Sequence, residues 1–255
     1  MNRIMKIKIL SIVIATLIIT SCGNSKQENH NNNKDTVAKE IVVKKEKSIY
    51  DKAGIIKVKD PMASLVGYKK AGEDYFEISL DDVGKYSGHV CAGIASGFLV
   101  VKQALEILYP NGEVPVRGQI RVAAQGGGDQ LDVASYITGA RAFYGRQEVN
   151  ANDLIIDKSL AGDKGTFTMI FYRKDNGKMV KTVFNKKKLM LSEVDSYSGA
   201  TILTLKSKLD EGTATDQEKE EFAKIVHSAV KKVLTDIPDG LITISECTDY
   251  IFPKN

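Results

Sequence analysis

From residue 91 to 109 the apolar residues Ile94, Phe98, Val101, Leu105 and Leu108 return at intervals of three and four. That interval places them on one side of a 3.6-residue helix, so the run predicts a helix over 91–109. Ala95, Ser96 and Gly97 make its first part thin enough for another backbone or a ligand to come close. Tyr109-Pro110-Asn111-Gly112 ends it with residues that break helices. A second amphipathic pattern covers Glu218 to Leu234, with Phe222, Ile225, Val226, Val230 and Val233 on the inner side. Ser79 stands as the N-cap of a short helix, with Asp82 at its third position. The period changes to two at Phe167–Tyr172 and Met179–Phe184, and Asp175-Asn176-Gly177 between them signals a hairpin. Gly118 to Ala124 reads as a strand, as does Leu241 to Ile244. Gly126-Gly127-Gly128 reads as a tight turn, followed by a helix capped by Asp129 and running to about Phe143. Strand-like and loop segments, Ile55–Val58, Ser64–Tyr68 and Tyr75–Ile78, open the folded part. The result is a helix–strand–helix core with polar entrances at 87–92 and 125–132. There is no internal repeat and no second domain boundary, so one domain is expected.

The amino end has a different pattern. Arg3, Lys6 and Lys8 precede an almost wholly apolar run from Ile9 to Ile19. Such a run is too short to cross a hydrocarbon core of about 30 Å as a helix, and it reads as a secretory signal. Ile19-Thr20-Ser21-Cys22 resembles the bacterial lipobox, which implies cleavage before Cys22 and a diacylglycerol on its sulfur. Acyl chains contribute about 0.8 kcal/mol per buried CH₂, so two or three hold a protein firmly on a membrane. The residues that follow are rich in Asn, Lys, Ser and Gln, a composition that cannot bury enough surface to order itself. His30 lies among them without a metal-binding pattern. The expected organisation is a lipoprotein signal at 1–21, a flexible linker from lipidated Cys22 over 22–49, and a folded domain at 50–255. The expected location is the bacterial cell envelope, outside the cytoplasm.

Charge narrows the range of partners. The formal charge of the chain is +4, and removal of the three leader cations leaves +1. A nearly neutral domain has no electrostatic case for binding nucleic acid. Trp is absent and aromatic content is 7%, which argues against a stacking platform for sugars or single strands. Lys186, Lys187 and Lys188 form a basic run that reads as a solvated loop.

His89-Val90-Cys91 is the sharpest local feature. An imidazole and a thiol two residues apart, at the entry to a helix, can converge on zinc or another transition metal. The positive end of the helix favours thiolate over thiol, which would also make Cys91 a better nucleophile. Gly88 and Gly93 flank the pair, and the second glycine-rich entrance carries Asp129 and Asp132. Tyr136 and Arg141 are candidates to face the same cleft as hydrogen-bond or anion-binding donors, against a plain packing or surface role. Besides Cys22, the remaining thiols are Cys91 and Cys247. In an oxidising compartment they could form a disulfide, share a metal or act separately. His227, between Val226 and Ser228, reads as a half-buried structural histidine. Gly126-Gly127-Gly128 before a helix could cradle an anion, although a tight turn is the default reading. No Gly-x-Ser-x-Gly, P-loop or dinucleotide fingerprint is present.

The stretch Ser87-Gly88-His89-Val90-Cys91-Ala92-Gly93-Ile94-Ala95-Ser96-Gly97 resembles the signature of the FmdE-like family of formylmethanofuran dehydrogenase proteins, Gly-His-x-Cys-Pro-Gly-x-x-x-Gly. Asp129-Gln130-Leu131-Asp132 through Thr138-Gly139 is similar to its second motif, and the resemblance spans Tyr86 to Gly145. It implies an α+β domain, a mixed β-sheet packed by helices, with a bound metal, commonly zinc. His89 and Cys91 match the family's ligand positions. Asp129 stands where the family often has cysteine, so the ligand there would be a carboxylate. Ala92 replaces the usual proline, and the four-cysteine module of some members is absent. Formylmethanofuran chemistry is not implied.

Three readings follow. The first is a lipid-anchored module that holds zinc or another transition metal through His89, Cys91, Asp129 and Cys247, and binds or presents a small molecule or metal complex near Asp132, Tyr136 and Arg141. The second is a metal- or thiolate-dependent enzyme acting on a small exported substrate. The third is a structural lipoprotein with a decayed site. The partners expected are the membrane through Cys22 and a small-molecule or metal ligand, without nucleic acid. The oligomeric state stays open, a dimer included.

Overall fold

The computed structural model describes residues 48–141, 151–190 and 199–253. They fall within one compact unit, Glu46–Asn255. The signal segment, Cys22 and the linker up to residue 47 lie outside the described residues, as do Phe143 and Gly145.

A small antiparallel pair comes first: β1 (Ile55–Lys59) and β2 (Tyr75–Ser79), joined through α1 (Pro61–Leu65). The Ser64–Tyr68 segment expected as strand or loop is therefore partly helical. Asp60 caps α1 by accepting from the Met62 amide at 3.1 Å, and Pro61 occupies the first turn. That pairing of a capping acid with a first-turn proline is a helix-start signal that outweighs the β-branched and aromatic residues after it. The chain continues into α2 (Leu80–Ser87), where Ser79 and Asp82 form a reciprocal capping box.

The long helix α3 (Ala92–Leu108) is the centre of the core. Ile94, Phe98, Val101, Leu105 and Leu108 are all buried, and so are Ala95, Gly97, Val100 and Ala104 on other sides of the helix. A helix buried nearly all round must be covered by several elements. Here they are the main sheet together with α2, α4 (Asp129–Thr138) and α7 (Asp216–Thr235). The thin part of α3 receives another backbone: a Cβ on Gly97 would lie 3.1 Å from Cα of Gln130 on α4.

The sheet has five strands in the order β4 (Leu154–Ile156), β3 (Ile120–Ala124), β5 (Thr166–Arg173), β6 (Met179–Asn185), β7 (Ile242–Glu246). β3 and β4 run parallel and every other neighbouring pair is antiparallel, so the sheet is mixed. The β5–β6 hairpin pairs Tyr172 with Met179 and Thr166 with Asn185, as the Asn-Gly signal predicts. Alternation separates the two faces. Ile120, Val122, Ala124, Met169 and Phe171 belong to the main core, whereas Ala123, Ile170 and Cys247 form a second cluster. The domain is α+β with helices packed on a mixed sheet.

Two further expectations are corrected. Gly128, not Asp129, is the cap of α4, and Asp129 is its first residue. The helix ends at Thr138 with Gly139 as left-handed cap, well short of Phe143; the glycine stops it although the apolar pattern runs on. After α5 (Lys187–Met190), α6 (Gly199–Asp210) is a helix that the apolar pattern did not announce; Leu203 on it is 70% exposed. α7 follows behind a capping box of Thr215 and Glu218. Among the described residues no helix is long and apolar enough to cross a membrane.

Candidate metal centre

The site is made where two helices begin. α2 ends at Ser87, and Gly88 turns the chain in the left-handed region, φ 76°. His89 and Val90 then lead to Cys91, which is the N-cap of α3 in extended conformation, φ −109°, ψ 178°. Its sulfur accepts from the Ile94 amide at 3.5 Å, the role usually filled by a serine or aspartate oxygen. Close packing of α3 on α4 sets the two helix starts side by side, and Asp129 projects from the second. Cys91 Sγ donates to Asp129 Oδ2 at 2.8 Å. Gly93 leaves room for this approach: a Cβ there would stand 2.5 Å from the same oxygen.

His89 completes the group. Its Nδ1 lies 3.1 Å from the Ser87 carbonyl oxygen, which can only accept, so Nδ1 donates there and the contact fixes the direction of the ring. One ligand atom from each of His89, Cys91 and Asp129 lies within 4.8 Å of the other two. His89 is exposed, and the other two are half-buried.

Electrostatics here depart from the sequence reading. The helix start was expected to favour thiolate at Cys91. Instead burial, reinforced by the neighbouring Asp129 carboxylate, pushes this thiol up to about 11, against the smaller opposing effect of the Ile94 and Gly93 amides. Two groups that would repel as thiolate and carboxylate are held together by one proton. A cation in its place resolves the same repulsion. A carboxylate oxygen, a thiol sulfur and an oriented imidazole suit a borderline metal such as zinc. The donor set therefore fits a metal ion.

The three donors open on a cavity of about 780 Å³. Val90, Leu209, Phe222 and Val226 give it apolar walls, and Lys206 and His227 polar ones. His227 was read from sequence as structural; it is exposed and lines this cavity. The signal was present: Phe222, Ala223, Val226 and His227 form a stripe at i, i+1, i+4 and i+5 that the buried face of α7 (Ile225, Val230, Val233) does not include. Lys206 and Leu209 come from α6, so sequence periodicity gave no notice of them.

The other candidates stand elsewhere. Cys247 is buried in the second cluster, with Sγ 3.4 Å from Asp249 Oδ1, and is not among the residues that converge on Asp129. Strand parity sets this: β7 delivers it to the side of the sheet away from α3. Both thiols are free, so of the three arrangements open to Cys91 and Cys247 the disulfide is not the one found. Asp132 is exposed one turn along α4 and does not border the 780 Å³ cavity. Tyr136 stacks on Tyr86 at 4.8 Å between ring centroids, with the Arg117 guanidinium over its ring at 5.8 Å, a packing role. Arg141 Nε donates to the Gly139 carbonyl at 3.4 Å. Neither Tyr136 nor Arg141 lines the cavity.

An α+β domain with three convergent donors at paired helix starts is a candidate metal-site domain. Residues 86–243 match the family model described as FmdE, molybdenum formylmethanofuran dehydrogenase operon. The match covers more than half of the chain, and the chain belongs to this family. No curated protein matches it.

Proposed function

We propose that the chain is a lipid-anchored, extracytoplasmic domain that holds zinc through His89, Cys91 and Asp129 and takes up a small molecule at that metal. The convergence of three donor atoms within 4.8 Å of one another carries this reading. A bound zinc ion would act as a Lewis acid with a coordination position left for a ligand. The chain's own groups do the rest. Ser87 orients the imidazole, Gly93 leaves room for the carboxylate, and Val90, Phe222 and Val226 keep one side of the entering ligand out of water.

The anchor rests on the Ile19-Thr20-Ser21-Cys22 sequence and the cationic, apolar leader before it. Acyl chains on Cys22 attach the domain to the membrane, and the linker lets it stand off the surface.

A second reading, a metal-dependent enzyme, is favoured by His227, an imidazole lining the donor-bearing cavity and suited to move a proton. The experiment that tests the first reading is metal analysis of the full chain purified in mild detergent. About one zinc per chain is expected, absent from His89→Ala and Cys91→Ser variants that keep the parent's folded circular-dichroism spectrum. Full zinc retention by Cys91→Ser would overturn it. Palmitate labelling that survives Cys22→Ala would overturn the anchor separately.

A further inference from the structure

Exposed apolar side chains scattered singly over a surface carry no message, but in this domain they gather at one tip. Leu65, Val66 and Tyr68 are 78%, 66% and 72% exposed, and they follow one another closely where α1 and its turn join β1 to β2. Lys69 and Lys70 come directly after them, and no acid occurs from Pro61 to Gly72. The metal site uses none of these residues. We propose that this tip docks on the surface of an anionic lipid bilayer. Leu65 and Val66 enter the acyl boundary, Tyr68 sits at headgroup level, and the two lysines meet lipid phosphates. The proposal rests on the lipid anchor proposed above, which keeps a bilayer within reach.

The tip is a built shape. Asp60 caps α1, and Ala63 is buried on its inner side. Backbone bonds close the turn that follows: the Val66 amide donates to the Met62 carbonyl at 3.0 Å, Gly67 to Ser64 at 3.1 Å and Lys69 to Ala63 at 2.8 Å. Tyr68 stacks on Phe76 at 6.2 Å between ring centroids, and Lys69 Nζ lies 5.2 Å from the centre of the Phe76 ring. These side chains are ordered before any contact, so docking costs them little freedom. Their order along the chain, aliphatic, aromatic, cationic, is the order of depth at a bilayer surface. Neighbouring acids do not cancel the lysines. Asp60 and Asp74 are buried, and Asp74 pairs with Lys59 at 3.6 Å. Exposed Glu73 adjoins the loop, and Glu77 stands opposite Lys57 in the β1–β2 pair, so the tip stays net positive.

The tether permits this contact. From residue 23 to residue 47 the composition is that of a flexible coil, and a coil of that length reaches about 25–30 Å. It joins the domain at Ser48, ahead of β1, whereas the tip follows the far end of that strand, about 16 Å further on. The reach exceeds the span, so anchor and tip can touch one bilayer, and the anchor turns a weak contact into an intramolecular one. Tyr50, beside the tether, borders the 780 Å³ cavity. Cavity and tip therefore lie at opposite ends of β1, and docking by the tip does not close the metal site.

The chain contains no tryptophan, so Leu65→Trp and Leu203→Trp each report one position. Leu203, exposed on α6 at the cavity end of the domain, is the control. The full chain, purified in mild detergent, is reconstituted into vesicles of phosphatidylethanolamine and phosphatidylglycerol with brominated acyl chains. The tryptophan at position 65 should emit further to the blue and be quenched several-fold more than the one at position 203. Adding Val66→Asp should remove that difference. Lys70→Glu, on the exposed loop, should lower the docked-to-free ratio at least about fivefold, the factor one basic side chain contributes at an anionic surface, and it serves should the first variant misfold. Vesicles of phosphatidylcholine alone should lower the ratio further. Equal quenching in phosphatidylcholine overturns the proposal. So does equal quenching at positions 65 and 203, which leaves the tip to a protein partner. Palmitate labelling of the same preparation reads the anchor. Labelled protein with position 65 unquenched sinks the docking alone, and unlabelled protein with position 65 quenched sinks the anchor alone.

Discussion

Cys91 and Cys247 are the same chemical group in two regions with opposite consequences. Each has a carboxylate acceptor, Asp129 at 2.8 Å and Asp249 at 3.4 Å. Burial is the first cause that pushes both thiols upward. What separates them is convergence. Cys91 stands at a helix start with a second helix start beside it, a third donor within reach and a cavity of about 780 Å³ in front. Cys247 is closed in by Ala123, Ile170, Tyr250 and Phe252 on the other face of the sheet. A perturbed thiol therefore does not define a metal site; donors brought together by packed elements do.

The largest effect is expected from removing each thiol in turn. Cys91→Ser should weaken zinc binding more than about 100-fold, because loss of even an outer partner of a metal ligand costs about 10–100-fold. Cys247→Ser should change it less than about twofold. Competition with a chromophoric chelator measures both, and similar losses in the two variants would abolish the distinction between the regions.

Proton competition comes next. Zinc must displace the Cys91 proton, and this thiol keeps it up to about pH 11. Zinc affinity should therefore rise about tenfold per pH unit from 7 to 9, in Cys247→Ser as in the parent chain. The metal-free protein carries the converse linkage. The folded state holds this proton more tightly than the unfolded chain, where the ordinary value is 9.0. The resulting stability is fully present below about 9 and lost as pH climbs towards 11. Denaturant titrations at pH 8 and 11 should show a smaller drop for Cys91→Ser. A flat pH profile of zinc affinity would mean that sulfur is not a ligand.

Crowding the approach should have a smaller effect. In Gly93→Ala the new Cβ would meet Asp129 Oδ2 at 2.5 Å. The carboxylate is the end of a side chain and can swing aside, so stability should fall by less than about 1 kcal/mol. Zinc affinity should fall about tenfold because the displaced oxygen is a ligand. Unfolding titrations and chelator competition on the same variant separate the two, and unchanged affinity would remove Asp129 from the donor set.

Legibility in the sequence followed the range of the interaction that decides each element. α3, the capping box of Ser79 with Asp82 and the β5–β6 hairpin depend on residues within a few positions of one another, and periodicity and turn chemistry revealed them. Asp60-Pro61 is an equally local signal, but the strand-like residues on either side of it obscure it. α6 lacked a clear apolar stripe, and with it Lys206 and Leu209 went unseen. Within the site, the pairing of Cys91 with Asp129 across the chain was legible only through the family resemblance. The direction of the Cys91 shift was not legible, because burial and a neighbouring carboxylate are tertiary facts and the helix start is a local one. Parity of strand β7, which sends Cys247 to the wrong face, depends on a register that single-sequence alternation did not fix.

The smallest contrast is kinetic. Alkylation proceeds through thiolate, and both sulfurs hold their protons above the ordinary thiol value, so both should react slowly with iodoacetamide at pH 7.5. Cys91 borders an open cavity while Cys247 is 6% exposed, which should make Cys91 the faster by several-fold. Zinc should then invert the order, since a metal-bound sulfur is withdrawn from alkylation while Cys247 has no reason to change. Peptide mapping after brief labelling, with and without zinc, resolves the two sites. Labelling of Cys91 that zinc leaves untouched would show that its sulfur faces the cavity as a thiol alone, and the comparison between the two cysteines would reduce to one of exposure.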